Sequence, residues 1–402
     1  MKSIKIFMLC VLTIILIIGC GKSNIKDENK FTGDNDGEIK KIDKIKEKVD
    51  SMTLDQKIGQ LFIVGFDGEI VSDEVVDLVK NQKVGGLIYF SRNIVDSNQI
   101  ITLNNEIRAI EKDIPLFISV DEEGGIVSRV PEEFIELPSS SYIGNRDDEN
   151  LSYNVGKIIA SELKYLGFNM DFAPVLDVYS NPNNTVIGER AFGNNADIVS
   201  RLGIRTMEGL RDGGVIPVVK HFPGHGDTEV DSHYGLPIVT KTLEELSNLE
   251  FIPFKNAIDS GADVVMVSSI ILSNIDSEYP ATISKKVTTD ILRDKLNFEG
   301  VIATDDMTMK AIIDNYDLTD AVVMSINAGN DLILVCHGYD DILNSIKAVK
   351  DAVGNNVISE ERIEESVYRI LKLKEKYNIN NNPIKSETNI EGINSEINSL
   401  FD

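Results

Sequence analysis

Cysteine is scarce: Cys10, Cys20 and Cys336 are the three in 402 residues. The first lies in an N-terminal apolar run, the second ends it, and the third sits in a late apolar run. Neither a disulfide framework nor a thiolate metal site can be assembled from them. Basic residues are in deficit, 40 Lys and Arg against 65 Asp and Glu, for a net charge of -25. That excludes the basic surface on which nucleic-acid binding depends; an acidic surface otherwise speaks for solubility and says little about fold. No G-x-G-x-x-G follows the first predicted strand, so a dinucleotide-binding fold lacks its main support. Histidine is equally sparse. There are four, and three of them, His221, His225 and His233, fall between Lys220 and Gly235. With 42% hydrophobic residues the chain has ample material for a large core.

The N-terminus reads as an export signal. Lys2 and Lys5 precede the nearly continuous apolar run Ile6 to Ile18, which is short for a bilayer span. The run closes on Ile17-Ile18-Gly19-Cys20, similar to a bacterial lipobox, in which cleavage precedes a lipidated Cys. Residues 1–20 are therefore expected to be a lipoprotein signal peptide. Lipid on Cys20 would anchor the chain at the outer face of the cell membrane, since each buried methylene contributes ~0.8 kcal/mol. Residues 21–46 are polar and charged and read as a flexible tether. The alternatives are an ordinary cleaved signal or an N-terminal anchor helix.

From residue 47 to 377 short apolar runs alternate with helix-length amphipathic stretches. The runs are Leu61–Phe66, Val84–Phe90, Leu116–Val120, Met170–Val178, Val215–His221, Val264–Ser269, Gly300–Thr304 and Leu332–Cys336. Leu151–Leu166, Ala196–Arg211, Leu243–Ser260 and Lys285–Leu296 read as helices between them, and Ser359–Tyr377 as a closing one, with Lys372, Lys374 and Lys376 suiting its C-terminal dipole. Thr53 and Gln56 have the spacing of a capping box. Repeated β-then-α units with nearly unbroken apolar strands predict an α/β fold, a (β/α)8 TIM-type barrel in a single catalytic domain. An open doubly wound sheet is the alternative. Pro217 is a mild objection to a strand, because it cannot donate to the ladder. Residues 378–402, rich in Asn, are expected to be poorly ordered or to lie over the barrel.

In such a barrel the site forms where strands end. The third run is followed by Asp121-Glu122-Glu123-Gly124-Gly125 and then Arg129. The fourth ends at Asp177, with Arg190 in the loop beyond. The fifth ends at Lys220-His221, the sixth at Ser268-Ser269, the seventh at Thr304-Asp305-Asp306 and the eighth at His337. Two carboxylates from different strands suit nucleophile and acid/base roles in glycoside or phosphate-ester chemistry. A metal hydrolase is the competing class, because His221 and His225 are four apart and Asp227 and Asp231 follow.

The stretch Lys220-His221-Phe222-Pro223-Gly224-His225-Gly226-Asp227-Thr228, with Asp231-Ser232-His233, resembles the signature of the β-N-acetylhexosaminidases of glycoside hydrolase family 3. Asp121 to Gly125, Asp171 to Asp177, Arg190 to Gly193 and Thr304 to Met307 match further motifs of that family in order. The resemblance covers roughly residues 50 to 375. It implies a barrel, no metal and no cofactor, and retaining removal of terminal β-linked N-acetylglucosamine. It also implies roles. Asp305 would be the nucleophile, with Asp306 supporting it. His233 would be the general acid/base, with Asp231 as its dyad partner. Asp121, Arg129, Arg190, Lys220 and His221 would bind the sugar, and His225 would structure the loop. Other branches of the family place a glutamate acid/base on a second domain; here the Asp-Ser-His loop stands in its place. The expected substrate is an oligosaccharide or muropeptide from peptidoglycan. Phosphorolysis by the same residues, a β-glucosidase or β-xylosidase of the same family, and a glycan-binding surface lipoprotein without activity are the alternatives.

Overall fold

Eight parallel strands close into a barrel, and each is an apolar stretch with no exposed alternate face, as expected when helices cover a parallel sheet. They are β1 (Phe62–Val64), β2 (Gly86–Ile88), β3 (Phe117–Val120), β4 (Met170–Asp171), β5 (Ile216–Phe222), β6 (Val264–Val267), β7 (Val301–Asp306) and β8 (Leu332–Val335). The closed order, β1-β8-β7-β6-β5-β4-β3-β2, follows the chain around the ring. Open doubly wound topology is thereby excluded. The computed structural model describes residues 43–228, 232, 235–385 and 389–401. The expected signal 1–20, Cys20, most of the tether, Asp231 and His233 lie outside them.

Local chemistry accounts for the differences from the sequence reading. The fourth run was read as a strand from Met170 to Val178, but ladder pairing stops at Asp171. Pro174, after a cis peptide bond, interrupts it. Pro217 costs the barrel nothing. Ile216 and Val218 donate to the β4 side, to Asn169 and Ala173 carbonyls at 2.9 and 3.0 Å. Residue 217 therefore turns its nitrogen to the β6 side, where pairing begins one residue later, at Val218. The helix expected over Leu243–Ser260 divides into Leu243–Ser247 and Phe251–Asp259. Pro253 lies in the first turn of the second piece, where no N–H is needed.

The capping box forms: Thr53 N donates to Gln56 Oε1 at 2.8 Å and Gln56 N to Thr53 Oγ1 at 3.3 Å. Lys44–Ser51 is already helical, capped by the Asp43 carboxylate, so the ordered domain begins inside the segment read as tether. Of the two expectations for the tail, residues 390–401 meet the second and lie over the barrel's outer layer. They form a helix, with Ile393 and Ile397 buried, packed on the helix Glu149–Leu166. Asn394 fastens it to the loop after β3, accepting from Ile135 N at 2.8 Å and donating to Glu133 O at 2.9 Å.

Two buried charges on the outer helices were also misread or missed. Lys374 is not an exposed dipole partner. Its Nζ is buried and donates to Gln60 Oε1, Gly85 O and Pro115 O at 2.7–2.9 Å, and desolvation holds its pKa well below the ordinary lysine value. Glu162, on the helix behind β4, is fully buried and neither carboxyl oxygen has a partner among the described residues. Burial first, and then Glu122 and Asp171, push its pKa well above the ordinary carboxylate range. An unpartnered buried polar group costs about 1–3 kcal/mol. Glu162→Leu should therefore stabilise the protein by about that amount at neutral pH, where the unfolded glutamate is ionised. Urea midpoints at fixed slope measure it; a lower midpoint would contradict the assignment.

Candidate active site

The rim groups are carried out of the barrel by β3, β5 and β7 and by the irregular segment after β4. Lys220, near the end of β5, is buried, and its Nζ lies 2.6 Å from Asp121 Oδ1 and 2.8 Å from Glu123 Oε1. Glu123 is gripped from its other side by Arg190, whose Nε and Nη2 lie 2.8 and 2.7 Å from its two oxygens. This bidentate fork fixes the guanidinium plane. Burial disfavours the charge on Glu123, yet Lys220 and Arg190 outweigh it and hold the carboxyl well below its usual range. Burial likewise pushes the Lys220 ammonium down, and Asp121 and Glu123 more than restore it. The result is a closed network of two basic side chains and two carboxyl groups, with Asp121 only partly covered.

Lys220 and His221 are joined by a cis peptide bond, as are Phe222 and Pro223. The imidazole Nδ1 of His221 lies 2.7 Å from Asp177 Oδ2, so its Nε2 faces the site, 3.4 Å from Arg190 Nη2. Asp177 is wholly buried; desolvation raises its pKa, and His221 and His225 bring it below the ordinary value. Its Oδ1 also accepts His225 N at 2.6 Å. His225 is buried among its own loop's groups, with Nδ1 2.7 Å from Thr228 Oγ1 and its carbonyl bonded by Asn184 Nδ2 at 2.7 Å. These contacts give it the loop-structuring place expected of it.

Asp305 and Asp306 end β7, and their environments differ. Asp306 accepts from Thr308 N, Thr308 Oγ1 and Cys336 N at 2.7–3.1 Å, and His337 Nε2 lies 3.7 Å away. Burial raises its pKa against those bonds. Asp305 is partly exposed and accepts from Asp306 N at 2.9 Å. Its charge is felt at His225 and Cys336. Ser232, which in sequence falls between Asp231 and His233, accepts Ala311 N through its carbonyl at 3.1 Å. That ties the loop to the segment just beyond Asp305.

Asp121, Lys220, Arg190 and His221 are thus brought together, with Asp305 at the same rim. Arg129 is not bonded into that network; its Nη1 donates to Ser128 O at 2.9 Å, and it lines a cleft of about 440 Å³ with Ser91, Asp96 and Pro131. Glu123 and Asp177 were read from sequence only as strand-end groups and given no role, although both orient groups that were. The alternation of side chains along an extended run was the available signal. It puts Asp121 and Glu123 on one side and Glu122 on the other. Concavity is a poor guide here: a cavity of about 970 Å³ lies at the opposite end of the barrel, lined by Asp263, Gly300, Val301 and Arg369.

A model of the glycosyl hydrolase family 3 N-terminal domain matches residues 53–373. The Beta-hexosaminidase A of Pseudoalteromonas piscicida is 34% identical over 333 residues, 75% of this chain and 55% of that protein, so the chain spans little more than half of that relative's length. The Beta-hexosaminidase of Methylobacillus flagellatus is 34% identical over 289 residues, 70% of this chain and 82% of its own. A solved glycoside hydrolase family 3 beta-N-acetylglucosaminidase from Paenibacillus superposes with a TM-score of 0.83 at 39% identity, covering 87% of this chain and 68% of that one.

Proposed function

The chain belongs to glycosyl hydrolase family 3 and is a glycoside hydrolase, and from that premise we propose that it is a retaining exo-β-N-acetylglucosaminidase acting on cell-wall fragments. The observation that carries the reading is the rim itself: a half-open carboxyl group, Asp305, on the same rim as a fixed array of hydrogen-bonding side chains, Lys220, Asp121, Arg190 and His221. That array suits a sugar ring, which presents hydroxyls at fixed angles to planar and charged partners.

Asp305 attacks the anomeric carbon as the glycosidic bond breaks, and the leaving oxygen takes a proton from His233. The glycosyl–Asp305 ester is then opened by water, whose proton returns to His233. An imidazole with an ordinary pKa of about 6.5 serves both steps near neutral pH, and Asp231 favours its protonated form. Residues 1–20 and Cys20 support export and lipid anchoring at the outer face of the membrane. There peptidoglycan fragments bearing terminal N-acetylglucosamine are the glycans at hand.

Chromophore release from an aryl N-acetyl-β-glucosaminide should exceed that from the matching glucoside roughly hundredfold. Comparable turnover of the glucoside would overturn the sugar assignment, and phosphate-dependent formation of sugar 1-phosphate would make the enzyme a phosphorylase. His233→Ala should cost on the order of 10²-fold on substrates with poor leaving groups and less on aryl glycosides. Equal losses on both would refute proton transfer by His233.

A further inference from the structure

The acids Asp121, Glu122 and Glu123 do not share one task. Asp121 and Glu123 meet Lys220, while Glu122 turns the other way and is buried, with no cation among its described partners. Four donors of its own loop converge on it instead. Its Oε2 accepts Arg129 N at 2.6 Å, Ser128 Oγ at 2.9 Å and Val130 N at 3.2 Å, and its Oε1 accepts Gly124 N at 3.3 Å. Its own amide donates to Asp171 Oδ1 at 2.9 Å. One carboxylate therefore closes the segment from Gly124 to Val130 on itself. That segment leaves directly from Glu123, which grips Lys220 and Arg190, and it carries Arg129.

We infer that Glu122 is the positioning residue of this loop and that its charge sets how firmly the loop presents Glu123 and Arg129 to substrate. The second clause rests on the glycan-binding reading above. An ionised carboxylate accepts from all four donors at once. A protonated one must turn an oxygen into a donor, which deprives at least one partner, and the bonds that remain lose their charge assistance. The surroundings oppose the charge. Behind Glu122 stand Asp171 and Glu162, and neither Asp171 Oδ2 nor either Glu162 oxygen has a partner among the described residues. Asp121 and Glu123 flank it, Lys220 is committed to those two, and Arg190 is committed to Glu123. Burial raises the Glu122 acid to about 7 against the pull of its four donors. As pH falls through neutrality the loop loosens.

The test is KM for an N-acetylglucosaminide across neutral pH, in wild type and Glu122→Gln. Wild-type KM should rise about tenfold on the acid side, with a midpoint near neutrality. Glu122→Gln should hold the acid-side KM throughout and leave the shape of the kcat profile unchanged. Ser128→Ala, which removes one donor and no charge, should raise KM at every pH and move the midpoint to higher pH, because the lost donor favoured the ionised carboxylate. A flat wild-type KM, or a Glu122→Gln profile that still bends, would overturn the inference. Amide exchange of residues 124–130 in the ligand-free enzyme separates this failure from failure of the substrate reading. Acid-weakened protection in wild type that is lost in Glu122→Gln upholds the loop clamp even if no N-acetylglucosaminide is cleaved. Unchanged protection in an active enzyme refutes it.

Discussion

Asp305→Ala should lower turnover of a β-N-acetylglucosaminide by a factor on the order of 10⁴ or more, because in the proposed mechanism it removes the group that forms the covalent intermediate. The neighbouring Asp306 cannot take over. Both acids end β7, and strand alternation sends their side chains to opposite sides. Asp306 is spent on Thr308 and on the backbone of Cys336, at the end of β8, so it ties two strand ends together. Asp305 has the features a nucleophile needs: partial exposure, and an acceptor bond from Asp306 N that orients the carboxylate and leaves its other oxygen available among the described residues. A 2-fluoro sugar with a good leaving group should trap the intermediate, and peptide mapping should find the mass on Asp305. An adduct on Asp306 or elsewhere would refute the assignment. Azide should partly restore turnover in Asp305→Ala, because the vacated space admits a small anion to the same face of the sugar. Asp306→Asn should instead lose stability, with Asp305 still in place.

The barrel was legible because its strands are buried on both faces and stand out as apolar runs between amphipathic stretches. The rim was legible because strand ends in this architecture collect function. Legibility failed where one residue's direction depends on three-dimensional context. Pro174 truncates β4, and the next segment must follow β5 without regular pairing, bonding through Leu176 N to Lys220 O. This places Asp177 where it can hold His221, which no local pattern encodes. Lys374 sits among lysines of a helix end that all looked solvent-bound, yet its turn faces the base of the barrel. Glu162 occupies an apolar face of its helix, which periodicity alone would mark as an error or a functional group. The final helix was missed because Asn-rich spacing hid the pair Ile393 and Ile397, whose burial depends on a neighbouring helix.

Lys220→Met should be the most damaging change short of removing the nucleophile, because it breaks both stability and binding. The methionine fills the space and removes the cation, leaving Asp121 without its partner and Glu123 with Arg190 alone. Breaking a buried pair by removing one partner costs about 3–5 kcal/mol. Glu123, whose pKa is depressed in the folded state, contributes stability above its unfolded value, and that contribution is lost as pH falls through the folded value. Without Lys220 the folded value moves up towards the unfolded one. The contribution at neutral pH shrinks, and what is left of it disappears at a less acidic pH than in wild type. Urea midpoints at neutral and mildly acid pH measure both shifts. Activity should fall by at least about 10²-fold in kcat/KM, since the charged contact to substrate proposed for Lys220 is lost. The double variant Lys220→Met with Asp121→Asn separates the two effects. It removes the carboxylate left without its partner, while Glu123 keeps Arg190, so stability should recover by more than additivity allows, and activity stays low because the cation proposed to hold the sugar is still missing. Recovery of both together would make Lys220 a scaffold element with no contact to the glycan. Stability unchanged in the single variant would mean that the ion network, despite its burial, carries no weight in the fold.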